Sequence, residues 1–526
     1  MLLRWRRTNS SSQIEEGIMR RRTLIAGLAV GTAAALAVAP PLAPQAQAAK
    51  DSVVIAWQVD PQTWDPNKRT VPVRQSLYKM VYDQLLTQAP DIKLEASLAT
   101  KWSQSADGKT VTLDIRDNAY WHDGTKVTSA DVKYTFLERG KAGHKIDLVR
   151  IWRNVADIET PTPTRAVIKL SKPMATAIPW LAFLANFVVP KHHVEKVGAD
   201  GFADKPMGSG PYKVVDYQRN SRIVLEAFDK YWGPKPKIRK VTILIMKDPS
   251  ARVAAVQSGR VDFAPDVPIR EVGRLDKMAA LSGRIFPISR VILLQIRSDK
   301  AFADKNVRLA AHHAINKKAI SQALYAGKAV PLSIVAPPGT PGYVEDFEFP
   351  YDPAKSKALL AKSGFSTDKP LKIGMASFNG NFPGDYDIAR AIVSMWKKVG
   401  IEANLQVIEY SKYFELNRGN KLPEATLYSW DNAVGDPEMF TGYLMHPKLP
   451  FSAWKDMDVG GRVMKLFGVV DYDKRIQGYK DVAVYASKQG AVMPLLQSVI
   501  TWVHKSDLQV VQYNNGWALP QTWSWK

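Results

Sequence analysis

The stretch from 207 to 263 restricts the fold more than any other part of the chain. It opens with Met207-Gly208-Ser209-Gly210-Pro211-Tyr212, where two glycines allow backbone angles that side chains forbid and Pro211 fixes φ. Such a turn introduces a strand. Lys213-Val214-Val215-Asp216-Tyr217 and Ile223-Val224-Leu225-Glu226-Ala227, separated by Gln218-Arg219-Asn220-Ser221, predict a β-hairpin. Tyr231-Trp232-Gly233-Pro234 breaks the run, and Val241-Thr242-Ile243-Leu244-Ile245-Met246 is a continuous apolar strand, expected to be buried on both faces. Asp248-Pro249-Ser250 caps a helix over 251–258 that Gly259 ends, and Val261-Asp262-Phe263 starts a further strand. Hairpin, strand, helix and strand in this order make an α/β sheet.

These words, in this order, resemble the bacterial extracellular solute-binding proteins of family 5, the oligopeptide- and dipeptide-binding type that serves peptide and nickel ABC importers. Residues 208–212 match that family's G-S/T-G-P-Y turn, 231–236 its Y-W-G-x-x-P loop, and 258–262 its S-G-x-V/A-D. The match continues elsewhere. Leu98-Ala99-Thr100-Lys101-Trp102, Ser105-Ala106-Asp107-Gly108-Lys109-Thr110, Trp121-His122-Asp123-Gly124 and Thr128-Ser129-Ala130-Asp131-Val132 are similar to the family's most specific run. Tyr82-Asp83-Gln84-Leu85-Leu86, Ala314-Ile315-Asn316-Lys317-Lys318 and Tyr351-Asp352-Pro353 extend it. The resemblance implies a periplasmic binding protein type II fold, α/β, with two hinged lobes plus an extra domain. It places 49–86, 190–285 and 502–526 in the first lobe, 87–189 in the extra domain inserted there, and 286–501 in the second lobe. It also implies a monomer that binds peptide or a similar solute between the lobes and hands it to a membrane ABC permease, without cofactor or metal. Relatives of this type also take nickel chelates, opines or sugars, so a non-peptide ligand stays open.

The N-terminus is expected to be an export signal: Arg20-Arg21-Arg22-Thr23-Leu24-Ile25 precedes an apolar run over 24–39 and the cleavage pattern Ala46-Gln47-Ala48. The paired arginines resemble a twin-arginine signal, with 1–18 as an upstream extension and Met19 as an alternative start. With no cysteine in the chain there is no disulfide, thiol nucleophile or lipid anchor, so a free periplasmic protein is expected. The net charge is +22, and positions 1–48 hold six arginines and two glutamates, leaving +18 on the mature chain. Those charges are scattered. The densest run, 235–240, alternates with Pro236 and Ile238, which suits a solvated face better than a nucleic-acid surface.

Taken in order, Val53-Val54-Ile55-Ala56-Trp57 predicts the first strand and 73–86 a helix. Asp107-Gly108 turns a hairpin, and Thr128 caps a helix. The apolar stretch 174–189 reads as helical, Ile285-Phe286 and 291–296 as separate strands, and 306–316 as an amphipathic helix ended by Asn316. Strand 371–376, a helix to Gly400 and strand 402–408 make a parallel β-α-β unit.

Catalytic patterns are missing, and the chain is not expected to be an enzyme. The serine of Gly208-Ser209-Gly210 does not fit G-x-S-x-G, Ser103 stands where a P-loop before Gly108-Lys109-Thr110 needs glycine, and H-E-x-x-H does not occur. An exported hydrolase is the alternative class. His122 has no partner at metal-ligand spacing and is assigned a structural hydrogen bond, while the pairs His192-His193 and His312-His313 are expected to point apart. The ligand candidates lie at strand ends, where open α/β sheets bind. Foremost are Trp430, Asp431 and Asn432, because the related W-x-x-D segment is implied to pair its aspartate with a peptide's ammonium. Asp431 directly follows Trp430, which departs from that spacing. Arg418 is weighed equally as a carboxylate partner and as a solvent-facing side chain, with Trp57, Trp64, Phe378 and Asn379 as further contacts. Trp517, Trp523 and Trp525 are assigned to packing across the first sheet.

Overall fold

The computed structural model describes residues 50–68, 72–432 and 434–526, so the export-signal assignments lie outside the described residues. The hairpin forms as expected, with Tyr212–Gln218 antiparallel to Arg222–Ala227, and it is the edge of a ten-stranded sheet. From that edge the order is Lys240–Ile245, Ser52–Trp57, Phe263–Pro265, Met493–Lys505, Leu281–Ile296, Ala425–Asp431, Leu371–Ser377 and Ile401–Val407. In Lys240–Ile245 only Val241 and Ile243 are fully buried; Thr242 and Leu244 on the other face are half-covered, not sealed as a doubly buried strand would be.

Leu281–Ile296 and Met493–Lys505 run antiparallel through the middle of the sheet and tie its two ends together. The two strands expected at 285–286 and 291–296 are one strand of 16 residues, because the register slips between Pro287 and Val291 without ending the pairing. A bulge of this kind bends a strand and frees its side chains from strict alternation. Ser52–Trp57 and Phe263–Pro265 are parallel to each other and antiparallel to Met493–Lys505. Leu371–Ser377 and Ile401–Val407 are parallel, as predicted, and parallel to Ala425–Asp431, which is antiparallel to Leu281–Ile296. The carboxyl ends of both sets therefore converge on the bulge from opposite directions.

Separate apolar cores flank this sheet. One is built on the end holding Val291, Leu371 and Trp396. Two cover the faces of the other end, around Val53, Tyr212 and Trp523 and around Val256 and Val503. Another sits under a four-stranded antiparallel sheet, Ala99–Gln104, Thr110–Ile115, Arg165–Leu170 and Val155–Thr162, where Val111, Leu113 and Ile115 alternate inward. Each such buried side chain contributes about 1.5–3 kcal/mol.

The Gly208-Ser209-Gly210 turn locks these units together by close approach rather than by unusual φ. A Cβ on Gly208 would lie 1.8 Å from the Val81 carbonyl oxygen, and one on Gly210 would lie 2.6 Å from the Val81 carbonyl carbon. That contact also explains why the helix expected over 73–86 stops early. The α-helix is Gln75–Val81, the Gly210 amide takes the Val81 carbonyl at 2.9 Å, and Tyr82 is extended. Ser209 and Trp232 both donate to the Asp83 carboxylate, at 2.9 and 3.0 Å, joining three motif segments. His122 completes the lock: its Nδ1 accepts from the Gly208 amide at 3.3 Å, so its Nε2 donates to the Gly210 carbonyl at 3.1 Å. Burial pulls its pKa down to about 4, and the ring is neutral, the structural role expected of it.

Other expectations are corrected. Only Ala177–Trp180 is helical within 174–189, which otherwise follows turns, with Ala185 at φ 66°. Asn316 begins a helix instead of ending one: its side chain accepts from Ala319 N at 2.9 Å and caps Lys317–Tyr325. His312 and His313 do not point apart, since both rings stack on Phe349, with centroids at 3.6 and 4.5 Å. Two C-terminal tryptophans pack on the first sheet as assigned, Trp523 4.6 Å from Phe263 and Trp525 donating to the Ser52 carbonyl, whereas Trp517 sits apart in a small cluster with Tyr513 and Leu519 under the Lys79 ammonium. Among the described residues, no helix is long and apolar enough to cross a membrane.

Candidate functional site

Where the strand ends converge, Asp431 closes its strand directly opposite Arg290. Arg290 binds both carboxylate oxygens, Nη2 to Oδ2 at 2.9 Å and Nε to Oδ1 in a closer contact. The side chains retain 26% and 28% exposure, so the pair borders solvent. From the other end of the sheet, Asp266 follows Phe263–Pro265 in a left-handed conformation at φ 50°, and Gln58 follows Ser52–Trp57. Gln58 Nε2 donates to Asp266 Oδ2 at 2.6 Å.

The electrostatics link these groups. Burial pushes the Asp266 carboxyl above its ordinary range, opposed by the charges of Arg252 and Arg290 and by the Gln58 hydrogen bond. Arg252 gives its own hydrogen bonds to carbonyls of Met246, Lys247, Pro265 and Asp266, so it supports the backbone and leaves the carboxylate free. Burial works against the Arg290 charge, but Asp431, and then Asp266 and Tyr410, more than offset it and hold the guanidinium above its usual value. The result is one cation between two carboxylates contributed by opposite ends of the sheet.

Aromatic rings wall one side. Tyr410, 44% exposed, opens the helix Tyr410–Arg418, and its hydroxyl lies 3.5 Å from that of Tyr428. Trp430 is half-buried, donates Nε1 to the Met439 carbonyl at 2.6 Å, and packs on Phe451 at 5.4 Å. It touches both the core of its own sheet end and the core under the four-stranded sheet.

The remaining expected residues divide. Asn432 is buried beside the pair: its amide donates to the Ser289 carbonyl at 3.0 Å, its Oδ1 accepts from Gly435 N, and its Nδ2 has no partner. Phe378 is buried among Tyr410, Tyr413 and Tyr428, so it supports the ring wall; Asn379, next to it, is exposed. Arg418 is exposed at the far end of its helix, beside the start of Ala425–Asp431, so the length of that strand separates it from Asp431. Trp57 and Trp64 are core residues; Trp64 packs on Tyr217 at 5.5 Å. Trp64 is 1% exposed, and its neighbour Asp65 is locked in a buried ion pair with Arg139 at 2.6 Å.

With this geometry in view, comparison with known proteins is decisive. The model of the bacterial extracellular solute-binding proteins, family 5 Middle, matches residues 93–449. The chain belongs to family 5. It is 26% identical over 435 residues to the dipeptide-binding protein of Escherichia coli K12, covering 77% of this chain and 81% of that one. It is 31% identical over 343 residues to the glutathione-binding protein GsiB of Escherichia coli O157:H7, covering 64% of this chain and just under two thirds, 65%, of that relative. Among solved structures, the periplasmic binding protein DppA of Helicobacter pylori in complex with the peptide STSA superposes with a TM-score of 0.76 at 21% identity, over 91% of this chain and 98% of that one. These relatives are binding proteins, and the fold is the type II periplasmic binding fold.

The W-x-x-D spacing that the resemblance implies is not met at the strand end, because the third residue after Trp430 is Ala433. Asp431 instead spends both oxygens on Arg290. Arg290, Asp266, Gln58 and Tyr410 were not singled out from the sequence. Arg290 carried a signal nonetheless: it is the one charge in the apolar run 285–296, and a lone charge there needs a partner.

A cavity of about 300 Å³ adjoins the same break in register, lined by Pro287, Ser289, Gln497, the loop at Thr340, and Gln512 and Asn514 of the C-terminal segment.

Proposed function

We propose that this chain is the solute receptor of an ABC importer, exported to the periplasm by a twin-arginine signal and working there as a free, monomeric, non-enzymatic protein without a lipid anchor. It takes a peptide or a similar small solute between two lobes, 49–86 with 190–285 and 502–526 against 286–501, the extra domain 87–189 alongside, and delivers it to the membrane permease. Separate apolar cores support this division. The family's dipeptide- and glutathione-binding relatives support the ligand class.

The observation that carries the reading is the group Gln58, Asp266, Arg290 and Asp431, in which polar side chains from opposite ends of the sheet meet over the strands that join them. A solute touching both ends binds the closed form better than the open one and shifts the equilibrium toward closure. A non-peptide solute is the second reading, favoured by the capture of Asp431 by Arg290. The mature protein, purified with its cargo, tests the function. Native mass spectrometry is expected to show a small co-purifying solute, and thermal melting a saturable rise when that solute is added back. Turnover of the solute into products, with no saturable shift, would replace the receptor with a hydrolase.

A further inference from the structure

Four neutral side chains line the cavity at the register break and bind no other described residue. Ser289 and Gln497 are 4% and 5% exposed, yet the Ser289 hydroxyl and the Gln497 amide make no hydrogen bond to another described residue. The same is true of the Gln512 and Asn514 side chains. Their polar atoms are not sealed in apolar packing; they reach the cavity. Three amides and a hydroxyl, Ser289 and Gln497 buried and Gln512 and Asn514 half-buried, offer several donors and acceptors at once to a group entering the cavity.

The walls are held by backbone. Gln497 N donates to the Val330 carbonyl at 2.7 Å, Ser289 N to the Asn514 carbonyl at 2.5 Å, and Thr340 Oγ1 to the Pro337 carbonyl at 2.7 Å. The backbone that carries Ser289, Gln497 and Asn514 is therefore fixed in place. Among the described residues no charged side chain lines the cavity, and the charge next to Ser289 in sequence, Arg290, is already matched by Asp431. A ligand charge placed there would lose its water with no counter-charge to receive it. The volume sits at the small end of the range for ligand pockets, about 300–1,000 Å³.

We infer that this cavity is a subsite for an uncharged, hydrogen-bonding group, so that the solute received here carries an amide or hydroxyl group at this point and no free ammonium or carboxylate. The inference rests on the solute-receptor reading and narrows its ligand class. The shared chemistry comes from two sources, a capped peptide end or a sugar, and the test separates them. Calorimetric titration of the mature protein, freed of cargo, uses N-acetyl-dialanine methylamide, cellobiose and zwitterionic dialanine. At least one neutral probe is expected to bind about tenfold or more tighter than dialanine, and whichever does so identifies the source. Gln497→Leu, and Gln512→Ala as a substitution outside the core, are each expected to weaken that probe about tenfold while leaving dialanine unchanged. Tighter binding of dialanine, indifference of the neutral probes to both substitutions, or a charged co-purifying solute overturns the neutral subsite and leaves the receptor standing. No binding of any probe together with no co-purifying solute removes both.

Discussion

Arg290 grips both oxygens of Asp431 from directly across the strand pair, at the point where the sheet's central strand bulges. A residue of the joining strands is thereby fixed to the last residue of Ala425–Asp431, and the pair is expected to be part of the scaffold. Asp431→Ala leaves a guanidinium with only partial access to water, at a cost of about 2 kcal/mol, midway between exposed and fully buried pairs. Arg290→Met combined with Asp431→Leu is expected to recover most of it. A urea-denaturation double-mutant cycle measures the coupling, and additive losses would show that the two side chains do not depend on each other.

The glycine at 208 is predicted to be irreplaceable for a reason unrelated to φ. A methyl group there meets the Val81 carbonyl oxygen at 1.8 Å, and that neighbour is backbone, with no flexible side chain to give way. Gly208→Ala is expected to cost at least ~3 kcal/mol and to disturb the His122 and Asp83 bonds to the same turn. Gly259→Ala is the contrast: the helix-ending glycine has open space around its Cβ position, so only its φ of 74° opposes the change, at about 1 kcal/mol. Equal losses in the two variants would remove the close-approach argument.

These two sites mark what was legible in the sequence. Local signals gave the hairpin, the Asp248 cap and the β-α-β unit, because each depends on residues close in sequence. The early end of the helix at Val81 was hidden, since it is imposed by Gly210 from far along the chain. The bulge was hidden too: Pro287 and Arg290 look like a strand break when read locally, yet pairing with Met493–Lys505 carries on past them. At the site, strand-end logic located Asp431 but not Asp266 or Gln58, which reach the same place only through the order of strands in the sheet.

Trp64 separates the core reading from a ligand-wall reading. The buried pair of Asp65 with Arg139, joined by Asn67 accepting from Arg139 at 2.5 Å, holds the loop against the short helix Arg139–Lys141. Arg139→Ala, which leaves Asp65 buried without its cation, is expected to cost about 3–5 kcal/mol. Trp64→Phe is expected to lower stability while leaving solute affinity unchanged. A fall in affinity without loss of stability would put the Trp64 ring in the site.

Glu438 is expected to make stability fall as the solution becomes alkaline. Its carboxyl is buried, accepts from Thr176 Oγ1 at 2.8 Å, and lies beside Asp436, whose own charge is paired with Arg475 at 2.9 Å. Burial first, and then the Asp436 charge, push its pKa from 4.5 up to about 8, with the bond from Thr176 and the Arg475 charge pulling the other way. The folded state therefore holds this proton where the unfolded chain releases it. The associated stability is complete below about pH 4.5 and is lost as pH rises through about 8, on the order of 5 kcal/mol in all. Glu438→Gln keeps an oxygen for Thr176 and removes the titration. Other groups titrate equally in both proteins, so the informative quantity is the difference in unfolding free energy between wild type and variant. That difference is expected to move steadily in favour of the glutamine form from pH 5 to pH 9. If it stays constant across that range, Glu438 is ionised in the native protein, and its bond to Thr176 must be sustained by a counter-charge.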